Sequence, residues 1–97
     1  MFPKIELRHL QAVVVVAEEL NFTRAAHRLH ITQPTLSFQI TEVEKLNGIQ
    51  LFARGKGREV KLTDAGRAFV EEARSALCHA ERAIHLARAA SDDCGTR

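Results

Sequence analysis

Between residues 33 and 39 the chain sets two amide side chains, Gln33 and Gln39, and two hydroxyls, Thr35 and Ser37, around Pro34 and Phe38. Uncharged groups of short reach donate and accept hydrogen bonds without breaking covalent bonds, so this cluster suits recognition of a polar surface better than catalysis. A serine nucleophile needs an adjacent orienting base, and neither Ser37 nor Ser75 has a neighbouring histidine. No paired carboxylates and no glycine phosphate loop occur at a usable spacing, so we expect no enzyme activity and no cofactor. The histidines are read as surface residues, with His27 and His30 near any bound anion. No carboxylate or thiol pattern completes a metal-ligand set around them.

The element that must position this cluster is a helix from Gln33 to Asn47. Thr32 is a good N-cap, Pro34 is tolerated in the first turn, and Gly48 stops the helix by taking the left-handed conformation. At about 100° per residue, Leu36, Ile40 and Val43 share one narrow arc, and Pro34, Phe38, Thr41 and Lys45 share the opposite side. The first arc is core. The second, flanked by short polar groups, fits a helix pressed against a polar surface, and the DNA major groove is the surface we expect.

Upstream, the apolar residues from Ile5 to Leu20 include the run Val13 to Val16, which periodicity alone allows as a buried strand. Its length, the Leu10/Val13/Val14/Ala17 spacing and the flanking charges of Arg8, Glu18 and Glu19 favour a helix. Asn21 and Thr23 offer alternative N-caps for a short second helix whose buried side is Ala25, Ala26 and Leu29, with Phe22 plugging the junction. A short helix separated by a brief connection from the helix at Gln33 is the layout of a helix-turn-helix. Downstream, Ile49 to Arg54 and Glu59 to Leu62 alternate as two strands around the turn Gly55-Lys56-Gly57-Arg58. Beside a helix-turn-helix, this basic hairpin reads as a wing that follows the DNA backbone or enters the minor groove.

Thr63 then caps a long helix from Asp64 to about Ala90. Val70, Leu77 and Ile84 repeat every seven residues, Ala73, Ala80 and Ala87 follow three later, and Phe69 widens the stripe. A helix of roughly 27 residues extends about 40 Å, more than so small a domain covers, so its apolar face is expected to pair with a second copy of the chain. In the alternative, only Phe69 to Leu77 packs on the domain and the remainder frays.

Ninety-seven residues, 45% hydrophobic and 27% charged, suit one globular domain. The net charge of +2 is unevenly spread, with nine Lys/Arg against six Asp/Glu up to Thr63 and five against six from Asp64 onward. The front half is therefore the better anion binder. The start carries charges at Glu6 and Arg8 and does not read as a secretory leader, and the run Ala12 to Ala17 is too short to cross a bilayer. Cys78 and Cys94 read as reduced thiols, so a cytoplasmic location without membrane contact is expected.

With these residues in view, the chain resembles the amino-terminal DNA-binding region of LysR-type transcriptional regulators over almost its whole length. The resemblance is carried by Leu7-Arg8-His9-Leu10, Asn21-Phe22-Thr23-Arg24-Ala25-Ala26, Leu29-His30-Ile31-Thr32-Gln33-Pro34, Leu36-Ser37-Phe38-Gln39-Ile40, Gly48-Ile49-Gln50-Leu51-Phe52-Ala53-Arg54 and Leu62-Thr63-Asp64-Ala65-Gly66. It implies a mainly α winged helix-turn-helix over residues 1–63, a linker helix over 64–90 that dimerises, usually antiparallel, and a flexible tail over 91–97. It implies that Gln33, Pro34 and Thr35 lie near base edges and Ser37 near phosphate; on that frame we expect base reading also by Phe38 and Gln39, phosphate contacts also from Thr23, Arg24, Lys56 and Arg58, and a minor-groove or backbone contact from Arg54, with Thr32 at the same surface. The expected partners are double-stranded DNA and a second copy, with higher assembly only through an effector-binding domain. Such a domain normally follows in the family, and the sequence leaves open whether this chain is an excised part or a short form.

Two positions depart from the family pattern. Phe38 stands where Arg or another polar residue is common, and it cannot make the bidentate contact to guanine that Arg makes. A thymine methyl or a sugar is open to it. Leu46-Asn47 departs at the helix end, where a small adjustment is expected. The alternative function is a winged-helix assembly module that binds protein, suggested by the low net charge and by Phe38.

Overall fold

The valine run folds as helix because it is surrounded. In the computed structural model, which describes residues 4–57 and 59–95 and side chains as far as residue 91, helix α1 spans Leu7–Glu19. It packs against three further helices, α2 (Phe22–Leu29), α3 (Gln33–Asn47) and α4 (Asp64–Gly95). Leu10, Ala12, Val13, Val14 and Val16 are all buried. A helix touched from several sides does not need one narrow apolar stripe, which is why valines are tolerated consecutively here. Leu36, Ile40 and Val43 of α3 join the same core, as their shared arc predicts, and each such fully buried side chain contributes about 1.5–3 kcal/mol.

Each short helix ends in a left-handed residue. At the end of α1, Leu20 has φ 51°, and its N–H donates to the Val16 carbonyl at 2.7 Å. At the end of α2, His30 has φ 57°, with its N–H bonded to His27 O at 3.2 Å and the Ile31 N–H to Ala26 O at 3.1 Å. This double closure turns the chain from α2 into α3 within three residues. Gly48 closes α3 in the same conformation at φ 62°. Of the two candidate caps for α2, Asn21 is used: its Oδ1 accepts the Arg24 N–H at 2.8 Å.

Strands β1 (Phe52–Arg54) and β2 (Val60–Leu62) pair antiparallel, with Phe52 opposite Leu62 and Arg54 opposite Val60. Both are shorter than the expected Ile49–Arg54 and Glu59–Leu62. The Leu51 carbonyl still meets its register partner Thr63, but the Leu51 N–H is drawn away from the ladder to α3. The Glu44 carboxylate of α3 accepts the N–H groups of Leu51 and Phe52 at 2.8 and 3.2 Å, and the Thr63 N–H donates to Leu51 O at 3.0 Å. Thr63 also caps α4, its Oγ1 accepting the Gly66 N–H at 2.9 Å. At Gly66 the helix passes so close to the wing that a Cβ would collide with the Leu51 carbonyl.

Helix α4 runs to Gly95, beyond the expected end at Ala90, since no proline or glycine lies between Ala90 and Gly95 to stop it. The tail expected over 91–97 is therefore helical in its described part, and residues 96–97 lie outside the described residues. The histidine expectation also needs correcting: His9 is buried. Its Nδ1 accepts the Glu6 N–H at 2.9 Å, capping α1, and its Nε2 faces Glu42 Oε1 of α3 at 2.9 Å. With Nδ1 an acceptor, the ring hydrogen resides on Nε2 and is donated to Glu42.

His30 is exposed and held in a conformation that costs a non-glycine residue about 1 kcal/mol. His30→Gly is expected to raise unfolding stability by about that amount in urea titrations. Lower stability in the variant would show that the imidazole contributes more than the backbone conformation costs.

Candidate nucleic-acid interface

The outward start of α3 is capped by its own hydroxyls. Thr32 Oγ1 accepts the Thr35 N–H at 3.3 Å and donates to Thr35 Oγ1 at 2.8 Å. Gln33 Oε1 accepts the Thr23 hydroxyl at 3.4 Å, tying the start of α2 to the start of α3. The Gln33 amide hydrogens have no partner among the described hydrogen bonds and remain donors for an external acceptor. Gln33, Pro34, Thr35 and Phe38 are exposed, and Ser37 and Gln39 are half-buried beside them. Phe38 keeps 65% of its surface accessible.

The wing reaches this surface through an aromatic stack. Phe22 is buried and meets the Phe52 ring edge-on at 6.3 Å and 75°. The Arg54 guanidinium lies 4.1 Å from the Phe22 ring centroid, within cation–π range. A cleft of about 170 Å³ separates Asn21, Thr23 and Gln33 on one side from Arg54, Gly57 and Glu59 on the other. Lys56 is exposed at the wing tip, where Gly57 takes φ 67°. Arg58, also expected at the interface, lies outside the described residues.

Arg24 is exposed but not free: its Nε lies 3.2 Å from Glu19 Oε1, and its guanidinium also donates to the Glu19 carbonyl. Beside it, Arg28 bridges Glu18 and Glu19 at 2.9 and 3.0 Å, and Arg74 of α4 reaches Glu18 at 3.0 Å. This chain of charges links α1, α2 and α4. The hydrogen bond from Arg28 is the largest influence holding the Glu18 carboxyl below its ordinary range; partial burial opposes it, and the charges of Arg28 and Arg74 reinforce it. The same contacts raise Arg28. Sequence reasoning missed this network, the Glu44 anchor and the His9–Glu42 pair. Each joins side chains or backbone of different elements, and neither caps nor periodicity in a single sequence signals such pairings.

The expected pairing stripe of α4 divides in two. Val70 and Ala73 are buried in this chain's own core, which leaves them little surface for a partner, and Phe69 and Leu77 are half-buried against it. Ala80 is half-buried, whereas Ile84 and Ala87 are exposed. An apolar groove lined by Ile5, Leu10, Ile49, Ala65, Phe69 and Ala76 runs beside the helix. Among the described residues no group of His, Cys, Asp and Glu is placed to hold a metal ion, and no helix is long and apolar enough to cross a membrane.

A short helix, a left-handed turn, a capped helix with an exposed polar start and a two-stranded basic hairpin define a winged helix-turn-helix protein. The family model described as bacterial regulatory helix-turn-helix protein, lysR family, matches residues 7–67. The chain belongs to the LysR family of transcriptional regulators, and not to a family of enzymes. It is 50% identical over 84 residues to the Hca operon transcriptional activator HcaR of Escherichia coli, a match covering 87% of this chain and 28% of HcaR. It is 49% identical over 84 residues to the transcriptional regulator AlsR of Bacillus subtilis, with the same coverages. The chain thus spans about 28% of the length of these curated relatives. Among solved structures it is similar to the BenM DNA-binding domain in complex with catB site 1 DNA, with TM-score 0.85 and 41% identity over 90% of this chain and 97% of that one. The CbnR DNA-binding domain bound to DNA matches with TM-score 0.85 and 40% identity, over 90% of this chain and 99% of that one.

A carboxylate held below its ordinary pKa stabilises the fold above that pKa, and the contribution is lost as pH falls through the folded value. For Glu18 this window begins below the ordinary value of 4.5. The stability deficit of Glu18→Gln relative to the native chain should therefore be present near neutrality and shrink on acidification below that point. A deficit that stays constant to about pH 3 would place its origin elsewhere.

Proposed function

We infer that the chain is the sequence-specific DNA-binding module of a LysR-type transcriptional regulator, acting as a dimer on a dyad-related promoter site. The observation that carries this reading is the exposed, self-capped start of α3, flanked by Arg54 and Lys56 of the wing. Gln33, Pro34 and Thr35 read base edges in the major groove, with Phe38 and Gln39 farther along the helix and Thr32 at its rim. Thr23, Arg24, Ser37, Lys56 and Arg58 meet phosphates, and Arg54 enters the minor groove or follows the backbone. To reach a phosphate, Arg24 exchanges its contact with Glu19, an exchange that costs little at an exposed pair. The DNA complexes of the BenM and CbnR domains support the reading through their likeness over most of this chain.

Residues 1–63 form the reading unit in this proposal, and the helix from Asp64 is the linker that pairs with a second copy. Its open surface is the distal face at Ala80, Ile84 and Ala87, continued by Phe69 and Leu77 where they emerge from the core. Pairing through one extended helix fixes the separation of the two α3 helices, and so the half-site spacing. The cytoplasm is the location this function requires. Assembly beyond the dimer and any response to an effector belong to a further domain. A protein-binding module is the second reading, favoured by the exposed Phe38. Salt separates the two: counterion release makes DNA affinity fall steeply with ionic strength, and an apolar protein contact lacks that dependence.

On a half-site recovered by selection from random duplexes, Gln33→Ala should cost about 1–3 kcal/mol and alter the preferred sequence. Lys56→Ala should weaken cognate and random duplexes alike and lower the salt slope by about one. Equal losses on cognate and random DNA for Gln33→Ala would defeat its base-reading role.

A further inference from the structure

The four phenylalanines among the described residues differ in burial. Phe22 and Phe52 are 6% and 4% exposed, Phe69 is half-buried against the core, and Phe38 is 65% exposed on the outward side of α3. A phenyl ring in water is unfavourable in proportion to its apolar area, so an exposed one on a binding surface marks where apolar area is removed on binding. Among the described residues, the other large exposed apolar side chains, Leu7, Leu20, Leu46, Ile84 and Leu86, lie at helix ends or on the distal part of α4. Leu46 is on α3 but two turns on and about 80° around the helix. Phe38 is therefore not part of the face proposed for self-pairing.

Some of the polar groups near Phe38 are engaged within the chain, whereas the Gln33 amide hydrogens and the Ser37, Gln39 and Thr41 side chains have no partner among the described hydrogen bonds. The Thr32 and Thr35 hydroxyls are bonded to each other, and Gln33 Oε1 holds the Thr23 hydroxyl. The turn before Phe38 holds Pro34, and Thr41 follows it on the same stripe. At Phe38 itself the helix offers a groove an exposed apolar ring with no hydrogen-bond donor of its own. Among base edges in the major groove the apolar group is the C5-methyl of thymine, and a cytosine methylated at C5 presents the same group in the same place.

We propose that Phe38 is a specificity-determining residue that reads the C5-methyl group of a pyrimidine, making binding sensitive to methylation at that base. The proposal rests on the DNA-reading function above and deepens it by naming the chemical group recognised. Thymine and 5-methylcytosine are equivalent partners for the ring, and uracil and unmethylated cytosine are deficient ones. Phe38 itself confers no preference for guanine, because a phenyl ring has no donor for its N7 and O6.

The test uses the whole chain and its selected half-site, with binding followed by fluorescence anisotropy. Each thymine is replaced in turn by uracil, which removes one methyl and leaves Watson–Crick pairing intact. One replacement should weaken the native chain by about 3–10-fold and leave Phe38→Ala unaffected. At that position the native affinity order should be thymine and 5-methylcytosine together, ahead of uracil and cytosine. Phe38→Arg should move the preference there to guanine, a gain that a misfolded variant could not show. If the native chain binds its selected site but no uracil replacement weakens it, or if the sensitive position stays sensitive in Phe38→Ala, the methyl-reading assignment is overturned while DNA reading stands. If selection enriches no sequence for either protein, the DNA-reading function itself fails, and the assignment with it.

Discussion

The roll of α3 about its own axis is set by the burial of Leu36, Ile40 and Val43 in the core built on α1. Once that arc is inside, Gln33, Pro34, Thr35 and Phe38 have no choice but to face out. The same helix sends Glu44 to the backbone N–H groups of Leu51 and Phe52, so the wing hangs from the helix it flanks. Glu42 holds the buried His9 at the other end of the contact with α1. Reading helix and wing therefore move together, and Phe22, packed on Phe52, supplies the platform on which Arg54 rests. A surface whose parts are fixed to one another before binding loses less conformational entropy when a ligand meets it.

Much of this was legible in the residues. Thr32, Pro34 and Gly48 bracket α3, Asn21 opens α2, Thr63 opens α4, and the Leu36/Ile40/Val43 arc is core, because caps and helical periodicity are local properties. The valine run was ambiguous by period and was resolved by its neighbours on several sides. What stayed hidden is what joins distant segments: His9 with Glu42, Glu44 with the start of β1, Glu18 with Arg74. Strand β1 is shorter than expected for the same reason, since Glu44 of α3 claims the Leu51 N–H. His9 in particular looked like one more surface histidine, and nothing adjacent to it in sequence announces that both ring nitrogens are engaged.

Helix α4 shows how a heptad pattern can serve two packing tasks in succession. Its first turns bury Val70 and Ala73 on α1, and Gly66 permits the close approach to the wing that sets its direction. Beyond Leu77 the same spacing continues with Ile84 and Ala87 in the open. Periodicity reports that a face is apolar and is silent on which neighbour covers it, so the division between intrachain core and free surface had to come from three-dimensional packing. The Glu18–Arg74 ion pair adds a contact between α4 and α1 beside the buried Val70 and Ala73.

The central claim is that the outward face of α3 and the wing form the surface that engages bases. Amide chemical-shift perturbation of the isotopically labelled chain on titration with its selected duplex tests it most directly, because it maps contact residue by residue without altering the protein. The largest shifts should fall on residues 33–39 and on Arg54 to Gly57, with the distal part of α4 little changed. Shifts concentrated on α4, or spread evenly with none at the start of α3, would contradict it.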